Sequence, residues 1–223
     1  MAVFDLEANN YDKWYDTKMG NFVDKVETKC AFDLFKPFKG MKVLDIGCGT
    51  GNFSIRLKEL GCEVIGVDIS DEMLNVARKK AKEKNLDIDF LNMDIYNLEF
   101  DNESFDAVFS MAAFEFIKDT KKAIDEVFRV VKPNGQILVG TINKDSSWGK
   151  LYLSEDFQKN SVFKHAEFKT IEDFIGIQSD NLVETKECLF IPPCTEKNNI
   201  SMEKEEELSK IKEGGFICAL WKK

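Results

Sequence analysis

The sequence predicts an α/β fold, a doubly wound and mostly parallel sheet with helices on both faces, and three observations lead to this prediction. Short runs rich in Val, Ile, Leu and Phe alternate along the chain with segments of helical spacing. A glycine-rich turn, VLDIGCGTGNF at residues 43–53, includes the end of the first run. The acidic residues Asp68 and Asp94 follow the second and third runs. Such alternation is typical of a sheet that binds its ligand at the carboxyl ends of the strands.

Seven runs have the length and composition of strands. They are residues 42–46, 63–68, 87–92, 105–110, 135–142, 182–191 and 215–221. Between the early runs lie segments whose apolar residues recur at helical spacing. The stretch 119–131 is the clearest helix, because its apolar residues share one face and it stops before Pro133. The polar stretch 196–213 is predicted to be one exposed helix with a solvated, charged face.

The composition limits the partners of the chain. A chain of 223 residues, 43% of them hydrophobic, can fill one sizeable core, so we expect a single domain over residues 1–223. Its net charge of −9 would repel the backbone of nucleic acid, which is normally met by a basic face. No basic leader is present, and no stretch is long and apolar enough to span a bilayer. We expect a cytoplasmic protein that binds no nucleic acid.

The cysteines and the single histidine argue against a metal site. Six cysteines are scattered without a CxxC pair, and His165 is far in sequence from most of them. This spacing suits neither a zinc site nor a disulfide framework. We expect reduced thiols that serve mainly in packing, and no bound metal.

The glycine-rich turn narrows the choice of ligand. Such a turn lets the backbone approach a ligand closely and presents free amides at a helix N-terminus. A phosphate-binding P-loop would end in Gly-Lys-Ser/Thr, but Gly51 is followed by Asn52 and Phe53. A dinucleotide site would read GxGxxG, whereas the glycines here alternate, which is weak evidence by itself. The turn therefore excludes a P-loop and leaves a dinucleotide open.

Acidic side chains near this turn indicate an adenosine that carries a cation. Asp68 is placed to accept from both hydroxyls of a ribose, as it would in a dinucleotide site. Asp94 can accept from the exocyclic amine of adenine while the amide of Ile95 donates to the ring. Asp45 would repel a phosphate and tolerate a cationic or zwitterionic group. S-adenosylmethionine combines an adenosine, a sulfonium and an amino acid zwitterion, and so fits these positions.

These motifs together resemble the class I S-adenosylmethionine-dependent methyltransferases, most nearly the small-molecule branch of the ubiquinone/menaquinone methyltransferases. VLDIGCGTG resembles the first motif of that family. GVDISDEML, MDIYNLEFDNESFDAVFSMAAFEFIKD and EVFRVVKPNGQILVG resemble its later motifs, in the same order and spacing. The resemblance implies a seven-stranded Rossmann-like sheet whose last strand runs antiparallel.

The resemblance also implies a set of cofactor contacts. Gly47, Cys48 and Gly49 would pass under the methionine moiety, with Asp45 near its amino group. Asp68 would hold the ribose. The remaining implied contacts are Ile69 and Met73 along the adenine, Asp94 and Ile95 at the adenine edge, Ser110 and Met111 on the sulfonium side, and Tyr11 over the methionine end. The product would be S-adenosylhomocysteine.

The acceptor site is predicted over the same edge of the sheet. A helical cap at residues 1–36 and two candidate lids, residues 143–166 and 192–212, would surround it. Aromatic residues there indicate a partly apolar small molecule; they are Phe114, Phe116, Trp148, Tyr152, Phe157, Phe163 and Phe168. Many relatives have histidine where this chain has Phe116, so a base is absent there.

The catalytic residues and several alternatives stay open at this stage. A phenol or an amine acceptor would need a base, and His165 is the only imidazole. Cys194 follows the sixth strand, away from the methyl group, and is predicted to lie in a turn. A protein or nucleic-acid methyltransferase, a non-catalytic S-adenosylmethionine-binding protein and a nicotinamide oxidoreductase are the alternatives. The oligomeric state is open.

Overall fold

A computed structural model describes residues 2–159 and 161–223 and places seven strands in one sheet. The strands are β1 Lys42–Ile46, β2 Glu63–Asp68, β3 Asp89–Asn92, β4 Phe105–Met111, β5 Val131–Ile142, β6 Leu182–Cys188 and β7 Phe216–Lys222. Their order across the sheet is β3-β2-β1-β4-β5-β7-β6. The first five strands pair in parallel, and β7 runs antiparallel to both β5 and β6. The predicted fold class is confirmed.

Nine α-helices are found in the described part of the chain, joined in places by short 3-10 turns. They are α1 Ala8–Tyr11, α2 Lys18–Leu34, α3 Asn52–Glu59, α4 Asp71–Glu83, α5 Thr120–Val130, α6 Ser147–Tyr152, α7 Glu155–Lys159, α8 Ile171–Ile175 and α9 Met202–Leu208. Of the helices in residues 2–159 and 161–223, none is long and apolar enough to cross a membrane.

The strands alternate their side chains between two apolar cores, one on each face of the sheet. Val43 and Phe109 join the core that includes the buried side of α2. Leu44 and Val108, their neighbours along the chain, join the core that includes α5 and α8. This period of two is the reason why the central strands consist almost wholly of apolar residues.

The N-terminal segment crosses one face of the sheet. The side chain of Thr17 caps α2 by accepting from the amide of Gly20 at 3.0 Å. A Cβ on Gly20 would lie 2.1 Å from the carbonyl oxygen of Trp14, so the turn at residues 12–16 can pack against the helix only because this position is glycine. Helix α2 then packs against β5, β6 and β7. Met1 of the predicted cap lies outside the described residues, and the single domain over residues 1–223 stays a prediction.

Several predicted boundaries differ from the structure. Strand β5 begins at Val131 rather than at residue 135, because Val131 pairs with Phe105 before an irregularity shifts the register of β4 and β5. Strand β6 ends at Cys188 rather than at residue 191, and the next residue, Leu189, has a φ of 65° that breaks the strand. The first candidate lid consists of α6, α7 and a 3-10 turn at Val162–His165. Asn160 of that lid lies outside the described residues.

The prediction of one exposed helix over residues 196–213 is wrong in two respects. Only Met202–Leu208 is helical, after a 3-10 turn at Lys197–Asn199. Glu205 faces inward and is 6% exposed. Its two carboxylate oxygens accept from the amides of Phe190 and Ile191, each at 2.9 Å. These amides follow the end of β6 and have no partner in a neighbouring strand of the described chain. The carboxylate accepts the hydrogen bonds that a neighbouring strand would otherwise accept.

Replacing Glu205 by alanine should destabilise the fold. One buried and one partly buried amide would lose their acceptor, so we expect the free energy of unfolding to fall by about 2 kcal/mol. Urea denaturation measures the change. Glu206→Ala, one residue along on the exposed side, is the matched control and should alter the stability by about 0.5 kcal/mol or less. Equal effects of the two substitutions would contradict the anchoring role of Glu205.

Candidate functional site

A cavity of about 260 Å³ lies at the carboxyl ends of the central strands, beneath the N-terminal segment. Eleven of the twelve residues predicted to bind the cofactor line it: Tyr11, Asp45, Gly47, Cys48, Gly49, Asp68, Ile69, Met73, Asp94, Ile95 and Met111. Ser110 does not line the cavity. It is fully buried, and its hydroxyl donates to the carbonyl of Ile46 at 2.8 Å, where it ties β4 to β1.

The glycine turn between β1 and α3 approaches the neighbouring strand end closely. Gly47 has a φ of 65°, and a Cβ at this position would lie 2.3 Å from the Cβ of Ala113. Only glycine permits both the conformation and the contact. The amide of Cys48 donates to the carbonyl of Val67 at 3.0 Å, which links the turn to β2. Burial raises the pKa of the Cys48 thiol well above its usual value, which disfavours the thiolate that a nucleophilic cysteine needs.

Asp68, at the end of β2, is held by two backbone amides. Its Oδ2 accepts from Gly49 and its Oδ1 from Ser70, each at 2.9 Å. A carboxylate has about four lone-pair positions, so two remain for a ligand. Burial raises the pKa of Asp68, while the amide bonds act in the opposite direction. The fixed carboxylate is suited to accept from two adjacent hydroxyls.

Asp94 and Ile95 present one acceptor and one donor side by side. Oδ1 of Asp94 accepts from the amide of Tyr96 at 3.0 Å. Within the described residues, Oδ2 of Asp94 and the amide of Ile95 have no hydrogen-bond partner. Both residues line the cavity. This pair matches the amine and the ring nitrogen at the edge of an adenine.

Asp45 places a buried carboxyl group below the glycine turn. It is 2% exposed, and the hydroxyl of Ser54 donates to it at 2.5 Å. Burial raises its pKa to about 7, and the nearby Asp68 contributes to the rise. A cation placed next to Asp45 would favour the ionised form.

The lining residues fit S-adenosylmethionine. Asp68 suits the ribose, and Asp94 with Ile95 suits the adenine edge. Asp45 suits a positively charged end, and the narrow glycine turn leaves room for a chain to pass over it. Each part of the cofactor therefore has a polar group of matching character.

The N-terminal segment is bonded to the turn that it covers. Oδ1 of Asp12 accepts from the hydroxyl of Thr50 at 2.8 Å and from the side-chain amide of Asn52 at 3.1 Å. Lys80 of α4 donates to Oδ2 of Asp12 at 2.7 Å. These bonds hold Tyr11, the neighbour of Asp12, in the cavity wall. Burial raises the pKa of Tyr11 to about 12, so it stays a neutral phenol.

An aromatic wall closes the cavity on the side of the first candidate lid. Phe4 packs on Phe116 with ring centroids 4.8 Å apart, and Phe116 packs on Phe163 at 5.8 Å. Phe163 stacks on Tyr152 at 4.4 Å. Phe116 itself lines the cavity. The lid aromatics therefore support the wall from behind.

Of the seven aromatic residues predicted for the acceptor site, only Phe116 lines the cavity, and two of the others have clear structural roles. Phe114 is fully buried and belongs to the core that contains α5. Trp148 is also buried, and its indole nitrogen donates to the carbonyl of Ile191 at 2.8 Å. His165 and Cys194 are exposed and do not line the cavity.

Sequence reasoning missed Asp24 and Glu27, two acidic residues of α2 that line the cavity. The buried face of this helix includes Val23, Val26 and Cys30. Glu27 lies four residues after Val23 and three before Cys30, so it interrupts an apolar stripe. That interruption is the signal by which the sequence could have identified it.

The thiols and acids of the described chain form no metal site. Residues 2–159 and 161–223 hold no group of three His, Cys, Asp or Glu side chains arranged to bind a metal ion. The buried cysteines are Cys30, Cys62, Cys188 and Cys218, and none of the six forms a disulfide.

Sequence comparisons identify relatives of the chain. The methyltransferase domain family model matches residues 44–139. An uncharacterized protein of Methanocaldococcus jannaschii is 31% identical over 221 residues, which cover 98% of this chain and 97% of that protein. The demethylmenaquinone methyltransferase of Thermus thermophilus is 38% identical over 111 residues, 49% of this chain and 50% of that enzyme. The chain thus matches about half the length of the quinone enzyme.

A comparison with solved structures also finds methyltransferases. A crystal structure from Thermotoga maritima is that of an S-adenosylmethionine-dependent methyltransferase, described as a possible histamine N-methyltransferase. It superposes with a TM-score of 0.74 at 26% sequence identity, over 99% of this chain and 98% of that one. The similarity extends through both candidate lids and the N-terminal segment.

Replacing Asp68 by alanine should weaken cofactor binding. The loss of charge-assisted bonds to two hydroxyls should cost about 1–3 kcal/mol, a decrease of about 5- to 150-fold in affinity for S-adenosylhomocysteine. Calorimetric titration measures it. Asp71→Ala, in the exposed first turn of α4, should bind as the wild type does. Unchanged affinity in Asp68→Ala would remove Asp68 from the ribose site.

Replacing Asp94 by asparagine should reduce the selectivity for adenine. The carboxylate accepts from the adenine amine and repels the carbonyl of hypoxanthine, whereas an amide can donate to that carbonyl. We expect the preference for S-adenosylhomocysteine over S-inosylhomocysteine to fall by about 10-fold or more. Competition binding of the two nucleosides measures the ratio. An unaltered ratio would contradict the adenine assignment.

Proposed function

The chain belongs to the class I S-adenosylmethionine-dependent methyltransferases, and we propose that it transfers the methyl group to a small, partly apolar molecule. The observation that carries this proposal is the continuation of the cofactor cavity beyond the glycine turn. There the wall includes Tyr15, Phe53 and Phe116, three aromatic residues outside the set predicted to bind the cofactor. Cofactor recognition alone does not require this aromatic extension, whereas an acceptor beside the methyl group does.

The enclosure of the cavity supports a small acceptor. The N-terminal segment covers the glycine turn and is bonded to it through Asp12. A macromolecular acceptor needs an open groove, and nucleic acid needs a basic one, while this chain has a net charge of −9. These features disfavour the alternative of a protein or nucleic-acid methyltransferase.

The leaving sulfur needs no acid or base, so this step of the reaction depends mainly on how the cofactor and the acceptor are positioned. S-adenosylmethionine supplies a methyl group on a sulfonium, which leaves as a neutral thioether in an in-line displacement. Asp68 and Asp94 fix the nucleoside, and Asp45 attracts the charged methionine end. Met111 and Phe116 exclude water from the region that the acceptor enters.

The named relatives support a small acceptor without identifying it. One is named a demethylmenaquinone methyltransferase, and another is described as a possible histamine N-methyltransferase. Both names denote ring-containing acceptors that are not macromolecules. A non-catalytic S-adenosylmethionine-binding protein is the second candidate, but it would not need the aromatic extension of the cavity.

The test is a methyl-transfer assay on the purified chain. We expect S-adenosylmethionine to bind with micromolar affinity, about −8 kcal/mol by calorimetry. Mass spectrometry should then detect S-adenosylhomocysteine above the acceptor-free rate with at least one compound from a panel of aromatic phenols, amines, thiols and carboxylates. Transfer RNA and mixed histones should give no increase.

Phe116→Ala separates catalysis from cofactor binding. It should lower methyl transfer by about 10-fold or more through poorer placement of the acceptor, with S-adenosylhomocysteine binding within about 2-fold of the wild type. Cofactor binding without methyl transfer to any member of the panel would favour the non-catalytic candidate. Transfer to RNA or histones alone would overturn the small acceptor.

A further inference from the structure

Glu27 of α2 places a carboxylate in the cavity without a protein partner. It lines the cavity together with Tyr11 and Tyr15. Within the described residues it forms no hydrogen bond, and no Lys, Arg or His nitrogen lies within 4 Å of it. A partly buried carboxylate without a donor is costly unless a ligand supplies one.

Arg56, the cation that lowers the pKa of Glu27, is bonded to other groups. Arg56 of α3 donates to Oδ2 of Asp24 at 2.7 Å and to the hydroxyl of Thr28 at 2.7 Å. Asp24 lies one turn before Glu27 on the same helix, so the arginine pairs with one acid and leaves the other unpaired. Both acids line the cavity, but they differ in their partners: Asp24 is paired with Arg56 of α3, and Glu27 is unpaired within the described residues.

The charges and rings around Glu27 favour a cation. Burial raises its pKa well above the usual value, and Glu115, Asp24 and Cys30 raise it further, while Arg56 acts in the opposite direction. Tyr11, Tyr15 and Tyr152 lie close enough for the charge of Glu27 to raise their own pKa values. A positive group in this position would be stabilised by the carboxylate and by the faces of the rings.

Glu115 does not compete for such a ligand. It is fully buried outside the cavity wall, and its Oε1 accepts from the amide of Ile142 at 2.7 Å. Its carbonyl accepts from the amide of Glu167, so it anchors the turn that carries Phe116. The Oε2 of Glu115 has no partner within the described residues either, but Glu115 does not line the cavity, so Glu27 is the unpaired carboxylate of the cavity wall at this end.

We infer that the acceptor is a small amine with an apolar body, and that the Glu27 carboxylate binds its ammonium group and takes a proton from it. This inference rests on the proposed function, since it names the acceptor class of the same site. Glu27 is the catalytic base in this assignment.

The other acceptor classes fit this end of the cavity less well. A carboxylate acceptor would be repelled by Glu27 and Glu115. A phenol can offer one O–H donor and carries no charge for the rings to stabilise. An ammonium offers three donors and a cation, and its apolar body can pack on the aromatic wall that includes Phe116.

The step balances without any further reactant. The ammonium gives a proton to the Glu27 carboxylate, which becomes a carboxylic acid, and the nitrogen becomes a neutral amine with a lone pair. That lone pair forms the new N–C bond to the methyl group as the C–S bond breaks, and the electron pair of that bond stays on sulfur. The product is a methylated ammonium and a neutral thioether, and Glu27 afterwards releases its proton to water.

The experiment compares amines with hydroxyl compounds of the same shape. Calorimetry in the presence of S-adenosylhomocysteine measures binding of 2-phenylethylamine, tryptamine and histamine, each against the alcohol that has a hydroxyl in place of the amine. We expect at least one amine to bind about 10-fold more tightly than its alcohol, because a charge-assisted bond replaces a neutral one. Glu27→Gln should abolish that preference and leave binding of S-adenosylhomocysteine unchanged.

Asp16→Asn is the matched control. It removes one negative charge from the exposed end of the turn before α2, outside the cavity, and should keep the amine preference. In turnover, Glu27→Gln should raise KM for the amine and lower kcat, whereas the control should change neither.

Several results would overturn the inference. They are the absence of binding by all three amines, alcohols that bind as tightly as the amines, or a preference that survives in Glu27→Gln. Methyl transfer to a phenol or a thiol but to no amine would overturn it while leaving the proposed function intact. Loss of S-adenosylhomocysteine binding by the wild type, or no transfer to any class, would instead count against the proposed function.

Discussion

The site depends on the parallel pairing of β1 with β2 on one side and with β4 on the other. In a parallel sheet the carboxyl ends of all these strands meet at one edge. The strand that follows β1 in the chain, β2, lies on one side of it, whereas the chain after β3 continues on the other side with β4. This reversal of direction opens a crevice at the carboxyl end of β1. Register sets the heights of the side chains: Asp45 pairs with Gly66, and Asp68 pairs with Asn92. A one-residue slip would turn Asp45 to the opposite face of the sheet. The polar groups of the cavity are therefore positioned by the same backbone hydrogen bonds that pair the strands of the sheet.

Acids that line the cavity and have no cationic partner within the described residues give it its chemical preference. Asp45, Asp68 and Glu27 all have raised pKa values, and burial is the main cause in each case. A raised pKa means that the ionised form is disfavoured in the folded chain, so the carboxylates gain stability when a cation arrives. A sulfonium and an amino group satisfy this condition at the cofactor end of the cavity. The same reasoning, applied to Glu27 at the other end, favours an acceptor that is itself a cation before it reacts.

Most of the fold and much of the site could be predicted from the sequence, because both depend on local patterns. Apolar runs gave the strands to within a few residues, and the glycine turn and strand-end acids located the cavity. The exceptions depend on contacts between distant segments. Glu205 looked like one more charge on a solvated helix, yet it bonds to amides fourteen and fifteen residues earlier. The roles of Ser110 and Glu27 also depend on packing, which local patterns do not determine. Ser110 ties two strands together, and Glu27 lines the cavity.

The N-terminal segment that covers the cavity buries fewer residues than the strands beneath it. Helix α1 has four residues, and Ala8 is its buried residue, whereas the turn at 12–16 buries none. The segment is held by polar contacts, chiefly those of Asp12 with Thr50, Asn52 and Lys80, and by the packing of Phe4 on Phe116. Such partly exposed bonds contribute about 0.5–1.5 kcal/mol each, far less than the buried strands beneath them. We therefore expect opening of this segment to cost less free energy than unfolding of the sheet, so that the cavity could exchange its contents while the strands that position Asp45 and Asp68 stay paired.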